Sequence, residues 1–203
     1  MQATEQRGVI LAGGQASRMG GGDKGLLLLK GHSLLHHVIS RLAPQVQRLA
    51  INANGDPARF SGFNLPVLPD PVPGFPGPLA GVLAGMDWAA DQGADAVVTV
   101  AADTPFFPVD LVTRLRAAQG RAGFSLAATA TRSSPPDWHP TFGLWPTAFR
   151  DKLRRDLLAG QRKVLTWALQ NGAQPALFDP AADPSFNINT PEDLAMAENR
   201  KDV

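Results

Sequence analysis

Short β-branched apolar runs alternate along this chain with stretches whose apolar residues recur every three or four positions. Val9-Ile10-Leu11-Ala12, ending in Gly13-Gly14, has the pattern of a buried strand. Leu34, Leu35, Val38, Ile39 and Leu42 fall at helical spacing, with Ser33 a candidate N-cap and Pro44 the stop. Strands follow at Leu49–Ala53 and, briefly, at Val67–Leu68. Pro78 then opens a helix through Leu79, Val82, Leu83, Met86 and Ala90. Ala96–Ala101 is apolar on both faces, and Pro108 is expected to start a helix that reaches about Ala118. Ser125–Thr129, Thr141–Trp145 and Ala176–Phe178 read as strands, Pro146–Ala159 and Val164–Gln170 as helices. Thr190-Pro191-Glu192-Asp193 announces a last helix: a Thr cap, Pro at the first position, and carboxylates facing the positive end of the dipole.

Continuously apolar strands need cover on both faces, and strand alternates with helix throughout. The expected fold is α/β: a three-layer α/β/α sandwich on a Rossmann-like, mostly parallel sheet, in a single domain over 1–203. Ligands of such sheets bind at the carboxyl ends of the strands, near a switch in strand order. Chemistry is therefore expected just after Ala12, Ala53, Pro69 and Ala102.

Composition narrows the function classes. Nineteen Lys and Arg against eighteen Asp and Glu leave a formal charge of +1, which argues against a nucleic-acid partner held through many phosphates. The absence of cysteine excludes disulfides, zinc fingers and a thiol nucleophile. No apolar run reaches a membrane span of roughly 18 residues, and MQATEQRG lacks the apolar core of a signal peptide. A cytoplasmic protein with no membrane partner is the expectation. Twenty glycines and eighteen prolines make up about a fifth of the chain, against roughly 12% in ordinary proteins. Their densest clusters lie at 13–25 and 66–78.

Both clusters follow predicted strands. In the first, glycines let backbone N–H groups approach an anion while Arg18 and Lys24 add charge, an arrangement suited to a polyphosphate. No Gly-Lys-Ser/Thr stands at Walker A spacing. Gly20-x-Gly22-x-x-Gly25 matches the dinucleotide fingerprint by letters but begins well past the strand end. A glycine-rich surface loop with solvated cations is the bland alternative. Asn52 and Asn54 flank Ala53, and at most one of them is expected to face a ligand. Asp70 opens the proline loop, which serves either as a pocket wall or as a rigid connector. Asp103 follows a wholly apolar strand and is too costly to bury unpaired. It either caps a turn or binds a cation, and with Asp70 it is expected to converge near the phosphate loop, where Mg²⁺ would take one or two carboxylates plus phosphates. Arg150, Lys152, Arg154, Arg155, Arg162 and Lys163 stand against two aspartates, as a solvated face or a contact for an anionic second substrate. Asn187 and Asn189 share one side of an extended stretch before the last helix. His36 and His37 are adjacent and not a chelating pair, His139 reads as structural, and no Gly-x-Ser-x-Gly elbow exists.

Together these residues resemble one family. Leu-Ala-Gly-Gly-x-x-x-Arg-Met-Gly-Gly-x-Asp-Lys at 11–24, Gly77-Pro78-Leu79-Ala80-Gly81, Asp103-Thr104-Pro105 and Asn187-Ile188-Asn189-Thr190-Pro191 are similar to the molybdenum cofactor guanylyltransferases, over nearly the whole chain. The resemblance implies a sheet of the nucleotide-diphospho-sugar transferase type, with a nucleotide-binding part at about 7–110 and an acceptor or pterin side at about 120–197. It implies transfer of GMP from GTP to molybdopterin cofactor, with pyrophosphate released. Leu11, Ala12, Gly13, Gly14, Lys24, Asn52, Asp70 and Asp103 would form the GTP site. Lys24, Asp103 and Arg18 would be catalytic, Asp103 would hold Mg²⁺, and Asn187 and Asn189 would lie on the pterin side. Related cytidylyltransferases read Leu-Ala-Ala-Gly, so Gly13 favours guanine. Transient contacts with cofactor-synthesis or acceptor proteins are also expected. The alternatives are a cytidylyl or sugar-phosphate enzyme, a non-catalytic nucleotide sensor, and a nicotinamide dehydrogenase.

Overall fold

The computed structural model describes residues 6–13, 23–74, 77–131, 135–180 and 186–200. Among these, seven strands form one sheet in the order β5-β4-β1-β6-β8-β7-β9. Its members are β1 (Arg7–Leu11), β4 (Arg48–Asn52), β5 (Val67–Leu68), β6 (Ala96–Ala101), β7 (Ser125–Thr129), β8 (Asp137–Pro146) and β9 (Gln174–Phe178). Only β8 runs against the rest, so the sheet is mostly parallel, as expected. A separate hairpin pairs β2 (Leu28–Leu29) with β3 (His32–Ser33).

Alternation along the strands sends neighbouring side chains to two cores. Ile10, Ile51, Val98 and Val100 pack against α1 (Leu34–Leu42) and α3 (Leu111–Ala118). Val9, Ala50 and Val97 pack against α2 (Pro78–Asp91), α4 (Arg150–Leu158) and α5 (Val164–Gln170). These are the three expected layers. A smaller cluster of Leu29, Leu34, Phe106, Ile188 and Ala197 ties the hairpin to α6 (Pro191–Glu198). It anchors the Asn187–Asn189 stretch beside β6, where Ile188 N donates to Asp103 O at 2.9 Å. Among the described residues, no helix is long and apolar enough to cross a membrane.

Several caps are those the letters announce. Ser33 Oγ accepts from His36 N at 3.1 Å. Thr190 and Asp193 form a reciprocal capping box before α6. Three boundaries differ clearly from expectation. Pro146 does not open a helix: it is the last residue of β8, a 3-10 turn follows over Thr147–Phe149, and α4 begins at Arg150. Pro108 does not start α3: Leu111 N donates back to Pro108 O in a turn, and the helix begins at Leu111. β8 is longer than Thr141–Trp145 and begins at Asp137, with the register broken between Leu126 and Ala127 on its β7 neighbour. Pro140, which cannot donate to a ladder, falls in that irregularity, so a strand continues through a residue that reads as a stop.

The basic C-terminal segment is largely paired. Lys152 Nζ lies 2.6 Å from Asp156 Oδ2, and Arg154 Nη2 lies 2.5 Å from Asp87 Oδ2. Asp156 also accepts from Trp167 Nε1 at 2.7 Å, and the hydrogen bond from Lys152, then that from Trp167, lowers its pKa. A carboxylate held below its unfolded pKa stabilises the fold above that pKa and loses its contribution as pH falls through the folded value. Asp156→Asn is therefore expected to cost about 1 kcal/mol at neutral pH, discounted for its exposure. The difference from the parent should close below about pH 4. Denaturant melts at a series of pH values check this.

Candidate active site

Strand order reverses around β1: the chain moves outward through β4 and β5, then crosses to β6 on the other side. The carboxyl ends of β4, β1 and β6 thus meet at the switch point where α/β sheets bind ligands. A pocket of about 460 Å³ opens there, and Leu11, Gly13, Asn52, Asn54, Asp70 and Asp103 all contribute to its wall. That volume suits a small organic ligand. All four strand ends expected to carry chemistry deliver residues to it. Arg18 and Gly14 lie outside the described residues.

One wall is an asparagine–aspartate arrangement. Asn52, the last residue of β4, is 4% exposed, and a buried amide needs partners. It donates to Leu68 O at 3.0 Å and to Asp70 Oδ1 at 2.9 Å. Asn54 donates to Asp70 Oδ2 at 2.7 Å and accepts from Asp70 N at 2.8 Å. The expectation that only one of the two asparagines faces the pocket is overturned: residues two apart on an extended chain share a face. Gly77 and Pro78 bring the proline loop into the wall, so this segment lines a pocket and is more than a connector.

A second group centres on Lys24, which opens a short 3-10 turn over Lys24–Leu26. Its Nζ donates to Asp103 Oδ2 at 2.7 Å and to Asn189 Oδ1. Thr104 Oγ1 donates to Asp103 Oδ1 at 3.1 Å. Residues 79 and 165 positions apart from Lys24 thus meet on one ammonium. Asn189 is held in turn by its own N–H, which donates to Asp193 Oδ2 at 2.9 Å, as does that of Thr190. These bonds, with that from Asn189 N the largest, lower the Asp193 pKa. Asn187 lines the pocket itself. Asp70 and Asp103 share the pocket but not their partners: amides hold one, an ammonium and a hydroxyl the other.

Sequence reasoning missed Arg59 altogether. It lies on a 3-10 segment (Pro57–Phe63) after β4 and lines the pocket with Asp23 and Thr141. Asp56-Pro57 signals a turn there, since Asp56 Oδ1 accepts from Ala58 N. No local pattern marks Arg59 as facing a ligand.

A family model described as the MobA-like NTP transferase domain matches residues 8–174. The chain is 50% identical to a protein of Rhodopseudomonas palustris (strain BisB5) named molybdenum cofactor guanylyltransferase, over 94% of this chain and 91% of that one. It is 51% identical to one of the same name from Mesorhizobium japonicum, over 94% and 93%. Its fold is similar to the crystal structure of molybdopterin-guanine dinucleotide biosynthesis protein A from Archaeoglobus fulgidus, with a TM-score of 0.70 and 24% identity, covering 95% of this chain and 96% of that one.

Proposed function

The chain belongs to the MobA-like NTP transferase family, and from that premise we propose that it transfers GMP from GTP to the terminal phosphate of molybdopterin cofactor. The products are molybdopterin guanine dinucleotide and pyrophosphate. Near-full-length identity of about one half to relatives named for this activity supports the reading. The observation that carries it is the Lys24–Asp103 pair beside a switch-point pocket walled by Asn52 and Asp70.

In this reading Leu11, Gly13, Asn52 and Asp70 receive the guanosine, while Ala12, buried in the core with its N–H bonded to Asn52 O, supports that wall from behind. A Cβ added at Gly13 would meet no described atom within 4 Å, so the absent methyl is room given to the base. An oxygen of the acceptor phosphate attacks the α-phosphorus of GTP in line, and the bond from that phosphorus to the pyrophosphate oxygen breaks. The attacking oxygen is already anionic, so no general base is needed. Charge accumulates on the leaving pyrophosphate, and the chain's work is to position both phosphates and neutralise that charge. The Lys24 ammonium meets it, oriented by Asp103 and Asn189. Asn187 and Asn189 stand toward the acceptor.

Mg²⁺ fits the donors present. Both Asp103 oxygens retain lone pairs beyond those used by Lys24 and Thr104. Among the described residues, no three His, Cys, Asp or Glu side chains gather to hold an ion by themselves. That suits a hard cation shared between one carboxylate and substrate phosphates. When bound at Asp103 it would supply further neutralisation of phosphate charge. A cytoplasmic location and transient contacts with proteins that deliver or receive the cofactor belong to the same proposal.

MgGTP at a hundredfold excess over Kd is expected to stabilise the protein by about 2.7 kcal/mol, a rise in Tm of roughly 5–10 °C. MgCTP should leave Tm unchanged; the reverse preference would sink the guanylyl assignment. GTP and molybdopterin cofactor supplied together should release pyrophosphate. Binding without release would instead indicate a nucleotide sensor.

A further inference from the structure

Arg59 and Asp23 line the pocket but have no part in the transfer chemistry described so far. The Arg59 guanidinium is fixed from its own segment on three sides. Nη1 donates to Asp56 O at 2.7 Å, Nη2 donates to Asn54 O, and the group stands 4.6 Å over the ring of Phe60. Its remaining edge meets Asp23, with Nε 2.6 Å from Oδ2. The N–H is not aligned on that oxygen, so the contact is Coulombic rather than a directed hydrogen bond. Asp23 occupies the N-cap position of the turn over Lys24–Leu26, yet its side chain makes no capping hydrogen bond. A residue type favoured for capping is turned instead toward a cation 36 positions away in the chain.

One connected path results. Asp70 holds Asn54, the Asn54 carbonyl holds Arg59, Arg59 holds Asp23, and Asp23 is bonded directly to Lys24, whose ammonium meets Asp103 and Asn189. We infer that Arg59 is a positioning residue: through Asp23 it fixes the backbone that carries Lys24 relative to the wall made by Asn52, Asn54 and Asp70. Spacing between the nucleoside and the phosphates it carries is thereby set by a rigid guanidinium fork. Lysine cannot reproduce that fork, because its ammonium lacks the planar set of donors. The inference rests on the guanylyltransferase reading for which end of the ligand meets which group.

The test is a double-mutant cycle on triphosphate and monophosphate binding, with Arg59→Ala, Asp23→Asn and the two combined. Each single variant is expected to raise Kd for MgGTP about tenfold and to change Kd for GMP less than about twofold. The double variant should bind no more weakly than either single, because both changes cut the same link. Arg59→Lys, which keeps the charge but not the planar set of donors, should show an intermediate loss of MgGTP affinity in a protein that still melts cooperatively. If Arg59 were itself a phosphate ligand, Asp23→Asn would leave GTP binding intact or tighten it while Arg59→Ala weakened it; that result, additive losses, or equal losses for GTP and GMP would overturn the inference. The cycle is run with whichever triphosphate the parent binds, so a preference for CTP would overturn the base assignment and leave the Arg59 result readable.

Discussion

Asp103→Ala is expected to slow pyrophosphate release by at least about a thousandfold while leaving a cooperatively folded protein. Loss of charge neutralisation worth several kcal/mol, at about 1.4 kcal/mol per decade of rate, gives that magnitude. The fold should survive because Asp103 stands just beyond β6, and its backbone carbonyl, which anchors Ile188, is retained in alanine. Lys24 would lose the carboxylate and keep Asn189 Oδ1 as an acceptor. Lys24→Ala should cost kcat about 10²–10³. The two changes should be far from additive, since groups that act as a unit fail together. Turnover by Asp103→Ala near that of the parent in saturating Mg²⁺ would refute the metal role. An effect of Lys24→Ala confined to Tm would make the lysine structural.

Gly81→Ala is the second large effect, and the ordinary expectation has the opposite sign. Alanine inside a helix is better than glycine by roughly 0.5–1 kcal/mol. Here an added Cβ would lie 2.1 Å from Asn52 Oδ1, 2.8 Å from its Cγ and 2.9 Å from Leu11 Cδ2. The Asn52 amide must swing away, which breaks its bonds to Leu68 O and Asp70. Overpacking of this kind costs typically about 1–3 kcal/mol. The larger consequence falls on the site, and Kd for MgGTP is expected to rise at least about tenfold, since a bidentate polar wall is lost. Asn52→Ala combined with Gly81→Ala relieves the overlap, so the double variant should melt closer to the parent without regaining affinity. A Gly81→Ala protein that is both more stable and unimpaired in GTP binding would refute this account.

Much of this architecture was legible locally. Ala96–Ala101 and Ser125–Thr129 are strands with the bounds their apolar runs predict, and Ser33 and Thr190 cap where their letters place them. Local signals failed where a neighbour decides the outcome. β8 passes through Pro140 because residues 140–142 have no partner on β7, where Leu126 and Ala127 pair with Gly143 and His139, so the proline owes the ladder no N–H. The β2–β3 hairpin has only two residues per strand, too few for periodicity to register, and is held by packing against α6 and Phe106.

The site divides along the same line. Sequence alone determined the strand-end positions of Gly13, Asn52, Asp70 and Asp103, because a carboxyl-edge site follows from element order and from where apolar runs stop. It also determined that a lysine and an aspartate would be available for phosphate chemistry. Tertiary structure decided who meets whom: Lys24 with Asp103 and Asn189, Asp70 with both asparagines, and Arg59 with Asp23. It likewise decided that Gly81 must be bare, since Asn52 presses on it from a strand 29 positions earlier. Periodicity and caps are written in neighbouring residues, whereas contacts between distant segments arise only when strand order and helix packing bring them together.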